Sequence, residues 1–291
     1  MSEWIIRIAM VGLMSLPLWV HAREGARVEV VQSPVWIDRS GRSEPLAPGV
    51  QLASGDSLRT GTGGRVQVRL GDGSVVKLGE EARFAIDRLG SDRAPVFTAA
   101  LDVLKGAFRF TTAAAARIGL RRDISVRVRT ITAGIRGTDI WGASSEEQDF
   151  VCLLEGRISV GHEDGTVATL SEPRQFFGAQ RGTRPTLELA DQEKIDKVWS
   201  PQTEMQPAVG LLKASGGWQL VMASGGHAQT IDTYVRLRSA GFPAQIQSTS
   251  VAGERVYQAV LRFMDARADA EALAIRLERL LGLSGRVVPV R

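Results

Sequence analysis

A regular alternation of apolar and polar residues is the feature that most limits the fold of this chain, and it continues through residues 27–187. Apolar residues from Val66 to Leu70 alternate with polar ones, and Asp72-Gly73 then leads into a second apolar run. A period of two is typical of a β-strand with one buried face. An Asp-Gly pair between two such strands predicts a tight hairpin.

Similar short strands recur along the same region, with glycine-rich turns between them and no long helical pattern. They are predicted at 28–31, 35–38, 84–87, 103–110, 124–129, 150–154, 158–161 and 167–170. Many short strands with such turns predict an all-β module, which is a sandwich, a barrel or a solenoid-like coil. The alternation alone does not choose among these three.

The triplet Arg136, Gly137 and Thr138 interrupts a strand-like stretch at 131–142. It is either a recognition loop or a bend between strands. We expect the bend, because glycine adopts backbone conformations that other residues avoid. The expected turn glycines are Gly134 and Gly137, and the residues expected in the core are Ile135, Ile140 and Trp141.

A run of arginines lies close to this stretch, at Arg117, Arg121, Arg122, Arg127 and Arg129. From residue 124 onward the arginines alternate with apolar residues, which predicts a solvated strand face. Contact with an anionic envelope polymer or with a protein partner is the alternative.

The pattern changes after residue 187. Residues 188–214 contain a charged stretch followed by Pro201 and Pro207 with polar neighbours, which predicts a linker that lets two domains change their relative position. Residues 215–291 then show the order strand, helix, strand, strand, helix, strand. Gly241 and Gly282 follow the two helical stretches as stop signals. This order predicts a small α+β domain, with both helices on one face of a four-stranded sheet and the other face open.

Alternation sorts the strand residues of this C-terminal domain between the two faces of the sheet. The residues expected to face the helices are Leu220, Met222, Ala244, Ile246, Ser248, Tyr257, Ala259 and Leu261. Ala223 and Thr249 are expected on the open face. Glutamine amides offer both donors and acceptors, so the open face suits an uncharged polar ligand such as a glycan. A plain solvated face is the alternative. The predicted contact set is Gln219, Val221, Ser224, Gln245, Gln247, Val256, Gln258 and Val260. Nucleic acid is not expected as a ligand, because basic and aromatic side chains are scarce on this side.

The first 22 residues have the dimensions of a secretory signal peptide. Arg7 precedes an apolar run over residues 8–20, and Val20-His21-Ala22 resembles a cleavage site. An uncleaved membrane anchor is the alternative. We therefore expect an exported, periplasmic protein, and its 36 basic against 32 acidic residues favour anionic envelope polymers.

No constellation of residues predicts catalysis. Cys152 is the single cysteine and lies in an apolar run, which predicts a buried, unreactive thiol. His162 and His227 lie in different predicted domains, and no spacing of histidine, cysteine or carboxylate residues suits a metal ion. We expect a protein that is not an enzyme and that has no cofactor and no metal.

Two resemblances add to these expectations. Residues 47–160 resemble a FecR domain, through "LASGDSLRTGTGGRVQVRLGDGSVVKLG", "LKGAFRF", "VRTITAGIRGTDIWG" and "CLLEGRISV". The resemblance implies an all-β extracytoplasmic module with an envelope protein as partner. In its best-known setting this module belongs to a transmembrane anti-sigma regulator with a cytoplasmic helical domain. The sequence shows neither that domain nor its membrane helix, so direct sigma-factor control is not expected.

Residues 215–291 resemble a SPOR domain, through "GWQLVMAS", "LRSAGFPAQIQ" and "RVYQAVLRFMDARADAEALAIRL". This resemblance implies an RNP-like βαββαβ fold that binds peptidoglycan strands stripped of their stem peptides, usually at division septa, through its open sheet face. The chain departs from the family at the end of the third strand, where Arg262-Phe263-Met264 replaces a Gly-Pro-Phe-like sequence.

Overall fold

The computed structural model describes residues 25–91, 94–112, 121–206, 209–251 and 253–290. The predicted signal peptide and Arg117 lie outside these residues. Within the part of the chain that the structure describes, no helix is long and apolar enough to cross a membrane.

A β-module occupies the first two thirds of the chain. Its strands are β1 (Ala26–Gln32), β2 (Val35–Arg39), β3 (Arg42–Pro45), β4 (Gln51–Leu52), β5 (Ser57–Thr60), β6 (Arg65–Leu70), β7 (Val75–Leu78), β8 (Arg83–Leu89), β9 (Val96–Thr111), β10 (Arg121–Val128), β11 (Ile131–Ile135), β12 (Asp139–Ser144), β13 (Gln148–Glu155), β14 (Ile158–His162), β15 (Val167–Leu170), β16 (Gln175–Gln180) and β17 (Thr186–Leu189). Three short helical segments and one strand follow: α1 (Gln192–Lys194), a π-helical turn (Ile195–Trp199), α2 (Ser200–Thr203) and β18 (Leu212–Lys213).

These strands form two sheets that share β9. The order in the first sheet is β18-β1-β6-β7-β9-β12-β13-β16-β17, and β4 also pairs with β1. The order in the second sheet is β3-β2-β5-β8-β9-β10-β11-β14-β15, in which only the β9–β10 pair is parallel among the described strands. Strands β10 and β11 of the second sheet contact β12 and β13 of the first, and their apolar residues share one core. The β-rich module predicted from the alternation is therefore two packed sheets.

Gly106 marks the point where β9 passes from one sheet to the other. Its φ of +87° is a conformation that other residues adopt at a cost, and a Cβ there would lie 2.6 Å from the Cα of Ala82. The residue before it pairs with β8 in the second sheet, and Gly106 itself pairs with Ser144 of β12 in the first.

The Asp-Gly hairpin forms where the sequence predicts it, between β6 and β7. Gly73 has a φ of +89°, and its N–H donates to the carbonyl oxygen of Leu70 at 2.9 Å. Asp72 accepts from the backbone N–H of Ser74 at 3.0 Å and from its hydroxyl at 2.6 Å. The same carboxylate accepts from Nε of Arg122 at 2.6 Å, so Asp72 connects the turn to β10.

The C-terminal unit contains β19 (Trp218–Gly225), α3 (His227–Ser239), β20 (Gln245–Val251), β21 (Glu254–Met264), α4 (Arg267–Leu281) and β22 (Arg286–Pro289). This is the predicted order of elements. The strands form an antiparallel four-stranded sheet in the order β20-β21-β19-β22. Gly241 and Gly282 have φ values of +82° and +63°. The N–H of Gly241 donates to the carbonyl oxygen of Arg238 and that of Gly282 to the carbonyl oxygen of Glu278, which agrees with the predicted helix stops.

The segment predicted as a linker is packed against the β-module. Ile195 and Trp199 are buried against the outer face of the first sheet, and Leu212 is buried where β18 pairs with β1. Pro201 lies in the first turn of α2, which continues directly from the π-helical turn. Most of the described part of this segment is therefore structured, whereas the sequence predicted a free connection.

The C-terminal unit docks on the β-module by its helical side. The carbonyl oxygen of Gly241 accepts from the N–H of Val35 at 3.3 Å, and the ring of Trp36 lies against Gly241. Leu237 and Leu273 of the two helices belong to the same apolar core cluster as the β-module. Among the described elements, no helix is packed on the opposite face of the C-terminal sheet.

Candidate functional site

A row of hydrogen-bonded polar side chains crosses the open face of the C-terminal sheet. Ser224, Gln258 and Gln247 lie opposite one another on three neighbouring strands. Nε2 of Gln247 donates to Oε1 of Gln258 at 2.9 Å, and Nε2 of Gln258 donates to Oγ of Ser224 at 3.2 Å. We call these three residues the amide row. Each amide keeps further donor or acceptor capacity for a ligand.

Two valines and a glutamine form the next row on this face. Val221 lies opposite Val260, and Val260 lies opposite Gln245 at the edge strand. Gln245 is exposed, but Val221 is only 6% exposed and Val260 is fully buried. Both valines are therefore buried in this structure, although the sequence predicts them as ligand contacts. Val256 is half-buried beside Thr249 at the far end of the sheet.

Gln219 lies at the opposite end of the face from Val256. It pairs with Arg262 on one side and with Val288 on the other. Gln219 is only 8% exposed, and its Oε1 is buried without a hydrogen-bond partner among the described residues. It is a poorer ligand contact than the sequence predicted.

A β-bulge changes the predicted faces of β19. Val221 pairs with Val260 and Ala223 with Ala259, so Met222 is the extra residue. Ala223 therefore lies on the same side as Ala259, which was predicted to face the helices, and Ser224 lies on the open side. One inserted residue reverses the alternation of the residues after it, which is why the predicted position of Ala223 was wrong.

A second bulge brings an aromatic and a basic residue to the same end of the sheet. Phe263 is the inserted residue of β21, and its φ of +66° is unusual for a residue other than glycine. The guanidinium of Arg262 lies 4.7 Å from the centre of the Phe263 ring. Arg286 pairs with Val221 on the edge strand. Basic side chains are thus less scarce on this face than the sequence indicated.

The Arg136-Gly137-Thr138 triplet connects β11 and β12. Gly137 has a φ of +70°, as a bend requires, and Thr138 is buried with its N–H donating to Oγ1 of Thr112 at 3.0 Å. Arg136 is exposed. The predicted core residues Ile135, Ile140 and Trp141 are all buried. Gly134, in contrast, is paired inside β11 and is not a turn residue.

The arginine run is partly engaged in ion pairs within the chain. Arg122 bonds Asp72 in the hairpin and is largely buried, whereas Arg127 and Arg129, which follow residue 124, are exposed as the alternation predicts. Arg127 donates to Asp102 and, at 3.2 Å, to Asp87. These pairs fix β10 against its neighbours.

The residues considered for catalysis lie apart. Burial raises the pKa of the Cys152 thiol to about 12, because the charged thiolate would be desolvated. Nδ1 of His162 lies 2.9 Å from Oδ1 of Asp164, whereas His227 contacts the edge of Tyr257 in the other unit. Among the described residues, no group of three or more His, Cys, Asp or Glu side chains is arranged to hold a metal ion.

Comparison with known proteins finds similarity to part of this chain. Two crystal structures of a candidate anti-sigma factor from Parabacteroides distasonis ATCC 8503, at 1.65 and 2.50 Å resolution, resemble this chain with 18% identity and a TM-score of 0.39. The alignment covers 48% of this chain and 62% of that chain, which is less than two thirds of its length. No curated protein matches the chain. The family model described as FecR protein matches residues 56–159, within the stretch whose segments predicted it. Residues 56–159 of this chain are therefore a FecR domain.

Proposed function

We propose that this protein is an exported, non-catalytic regulatory protein of the cell envelope that acts through contacts between its FecR domain and a protein partner. The FecR match at residues 56–159 is the observation that carries this proposal. These residues supply central strands of both packed sheets, so the domain is a rigid scaffold that presents loops and strand faces.

Site-specific photo-cross-linking in the native envelope tests this proposal. The photoreactive residue replaces Arg69, Arg136 or Ser159, which are exposed on the FecR domain, and replaces Ser284 of the C-terminal unit as the control. We expect a discrete protein adduct from at least one FecR position and no such adduct from Ser284. If no FecR position gives an adduct, the domain is a spacer and the proposal fails.

We further propose that the C-terminal unit binds peptidoglycan glycan strands that lack stem peptides. The amide row is the observation that favours this second function, because it aligns donors and acceptors across three strands of an uncovered face. Sugar hydroxyl and acetamido groups are matching partners for such amides. The resemblance of residues 215–291 to SPOR domains and their βαββαβ order agree with this ligand class.

Sedimentation with isolated sacculi tests the glycan proposal in the full chain. We expect binding to increase when amidase treatment removes stem peptides. Gln247→Ala combined with Gln258→Ala removes two ligand-bonding amides, and affinity should fall about ten-fold or more. Gln229→Ala removes an exposed amide on helix α3 and serves as the matched control. Equal binding by both variants would refute the assignment of this face.

A further inference from the structure

A cluster of aromatic rings lies outside the main core, on the outer face of the first sheet. The ring of Trp141 stacks on that of Trp199 at 5.2 Å with an angle of 2° between their planes. Phe150 lies 4.9 Å from Trp199, and Phe176 lies 6.1 Å from it. Trp199 belongs to the π-helical turn, so this turn and the sheet hold the rings together.

A furrow runs beside these rings because small side chains occupy the neighbouring strand positions. Ala143, Phe150, Gly178 and Thr186 lie opposite one another across β12, β13, β16 and β17. Alanine and glycine leave the sheet surface low on both sides of Phe150. The resulting cavity has a volume of about 620 Å³, which is in the range of ligand-binding pockets. We call it the aromatic furrow.

The aromatic furrow has an unused hydrogen-bond donor in its floor. Trp141 is 1% exposed, and its Nε1 has no hydrogen-bond partner among the described residues. A buried N–H without an acceptor is costly, and such groups are uncommon in native proteins. An acceptor supplied by a ligand would remove this cost.

Two cationic side chains lie at the rim. Lys194 lies 5.2 Å from the centre of the Trp199 ring, and Arg184 also lines the cavity. Both are exposed, and within the described part of the chain neither forms an ion pair. Glu188 is the acidic residue of the lining, and it accepts from the hydroxyl of Thr186 at 2.8 Å. The balance of charge at the rim is therefore positive.

We propose that the aromatic furrow is the docking site for a peptide segment of the protein partner that carries an aromatic side chain next to a carboxylate. The ring of such a segment packs against Phe150, Phe176 and Trp199, and its carboxylate pairs with Lys194 and Arg184. A peptide carbonyl accepts from the Trp141 indole. This inference rests on the proposed function. It places the partner's contact on β12 and β13 of the FecR domain together with β16, β17 and the helical turn that follow them.

Nuclear magnetic resonance of the full chain with two blocked peptides tests the proposal. The peptides acetyl-Ala-Phe-Asp-Ala-amide and acetyl-Ala-Phe-Asn-Ala-amide have nearly the same shape and differ by one charge. Because Nε1 of Trp141 is buried in the structure, an acceptor reaches it only when the side chains around it move slightly. We expect the indole N–H signals of both tryptophans to shift with the Asp peptide, and the Asn peptide to bind about five-fold more weakly.

Charge-neutral variants locate the binding. Lys194→Gln and Arg184→Gln should each weaken the Asp peptide about five-fold. Lys197→Gln removes an exposed cation from the same helical turn, where it pairs with Glu193, and should leave binding unchanged. Equal binding of the two peptides, or no shift of either indole signal at millimolar peptide, would overturn the proposal.

The two proposals fail separately. If the cross-linked partner is still captured by the Lys194→Gln/Arg184→Gln variant with unchanged yield, the aromatic furrow is not its docking site. The FecR domain then still acts through protein contacts, on another surface. If no partner is captured at all while the two peptides bind as expected, the aromatic furrow is a binding site for such peptides, but the proposed regulatory function fails.

Discussion

Asp149 is a buried acid near the start of β13, where it pairs with Ser144 of β12. Its carboxylate accepts two bonds from Arg181, at 2.7 and 2.9 Å, and one each from the hydroxyls of Ser144 and Thr130 at 2.8 Å. Burial alone would raise the pKa of Asp149, but these hydrogen bonds outweigh burial and hold the pKa below its ordinary value. The Asp149 side chain therefore connects the start of β13 to the loop after β16.

We expect Asp149→Asn to lower the free energy of unfolding by about 3 kcal/mol at pH 7, because it leaves the Arg181 guanidinium without its buried partner. The stabilisation by a carboxylate with a lowered pKa is complete above the unfolded value of about 4 and is lost as pH falls through the folded value. Urea titrations should therefore show the difference between variant and wild type shrinking below about pH 4. Glu193→Gln breaks an exposed ion pair and should change stability by less than about 0.5 kcal/mol. A difference that does not depend on pH would contradict the ion-pair explanation.

The triplet at 136–138 offers a test of its backbone role. Gly137 has a φ of +70° with open space where a Cβ would lie, so Gly137→Ala should cost about 1 kcal/mol through backbone strain alone. Gly134 lies in β11 outside the left-handed region, and the nearest atom to its added Cβ is at 3.9 Å. Gly134→Ala should therefore be within about 0.5 kcal/mol of wild type in thermal unfolding. Equal losses in the two variants would show that the bend does not depend on Gly137.

At the scale of elements, the sequence predicts what alternation and turn chemistry specify. The β6–β7 hairpin and the ends of both long helices follow from local signals, namely Asp72-Gly73, Gly241 and Gly282. The bulges at Met222 and Phe263 do not, because one inserted residue leaves the alternation regular on either side. The sequence therefore predicted that the two glutamines of the amide row lie on the open face. It did not predict that Arg262 and Phe263 lie together at the end of the sheet.

The helical turn after β17 shows a different limit. Polar residues and Pro201 predicted a linker, yet Ile195 and Trp199 are four residues apart and share one buried side. This spacing was a signal for an amphipathic turn. Its partner surface could not be predicted, because Trp141 and Phe150 come from strands about fifty residues away along the chain and their outward direction depends on register.

We expect Trp199→Ala to lower the free energy of unfolding by about 3 kcal/mol, since a buried ring with three aromatic neighbours is lost. The turn should also become the first site of cleavage in limited proteolysis. Val198→Ala alters the preceding residue, which is 52% exposed, and should leave both stability and the cleavage pattern close to wild type. A proteolysis pattern unchanged in Trp199→Ala would show that the turn is held by other contacts.

At the scale of the whole molecule, the order of the two units was predictable but their docking was not. Docking depends on a surface match between elements far apart in sequence, such as Arg238 with Glu44 at 3.5 Å and Arg276 with the carbonyl of Thr62 at 3.5 Å. Burial lowers the pKa of Arg276, and the nearby charge of Arg65 lowers it further. No local sequence pattern predicts these two contacts. The shared apolar core nevertheless couples the units, so a single unfolding transition is expected for the wild type.

Gly241 is the residue at which we expect a single substitution to weaken this coupling most. Its φ is +82°, and a Cβ there would lie 2.6 Å from Cζ2 of Trp36 and 2.7 Å from Cβ of Pro34. Gly241→Ala therefore adds a steric clash to backbone strain, and we expect a loss of about 3 kcal/mol. Because the clash lies between the units, calorimetry should show two transitions in place of one. Gly282→Ala has the same kind of strain, with a φ of +63°, but open space around it, and should lower stability by about 1 kcal/mol with one transition. If both variants keep a single transition with equal losses, the contact of Gly241 with Trp36 does not couple the two units.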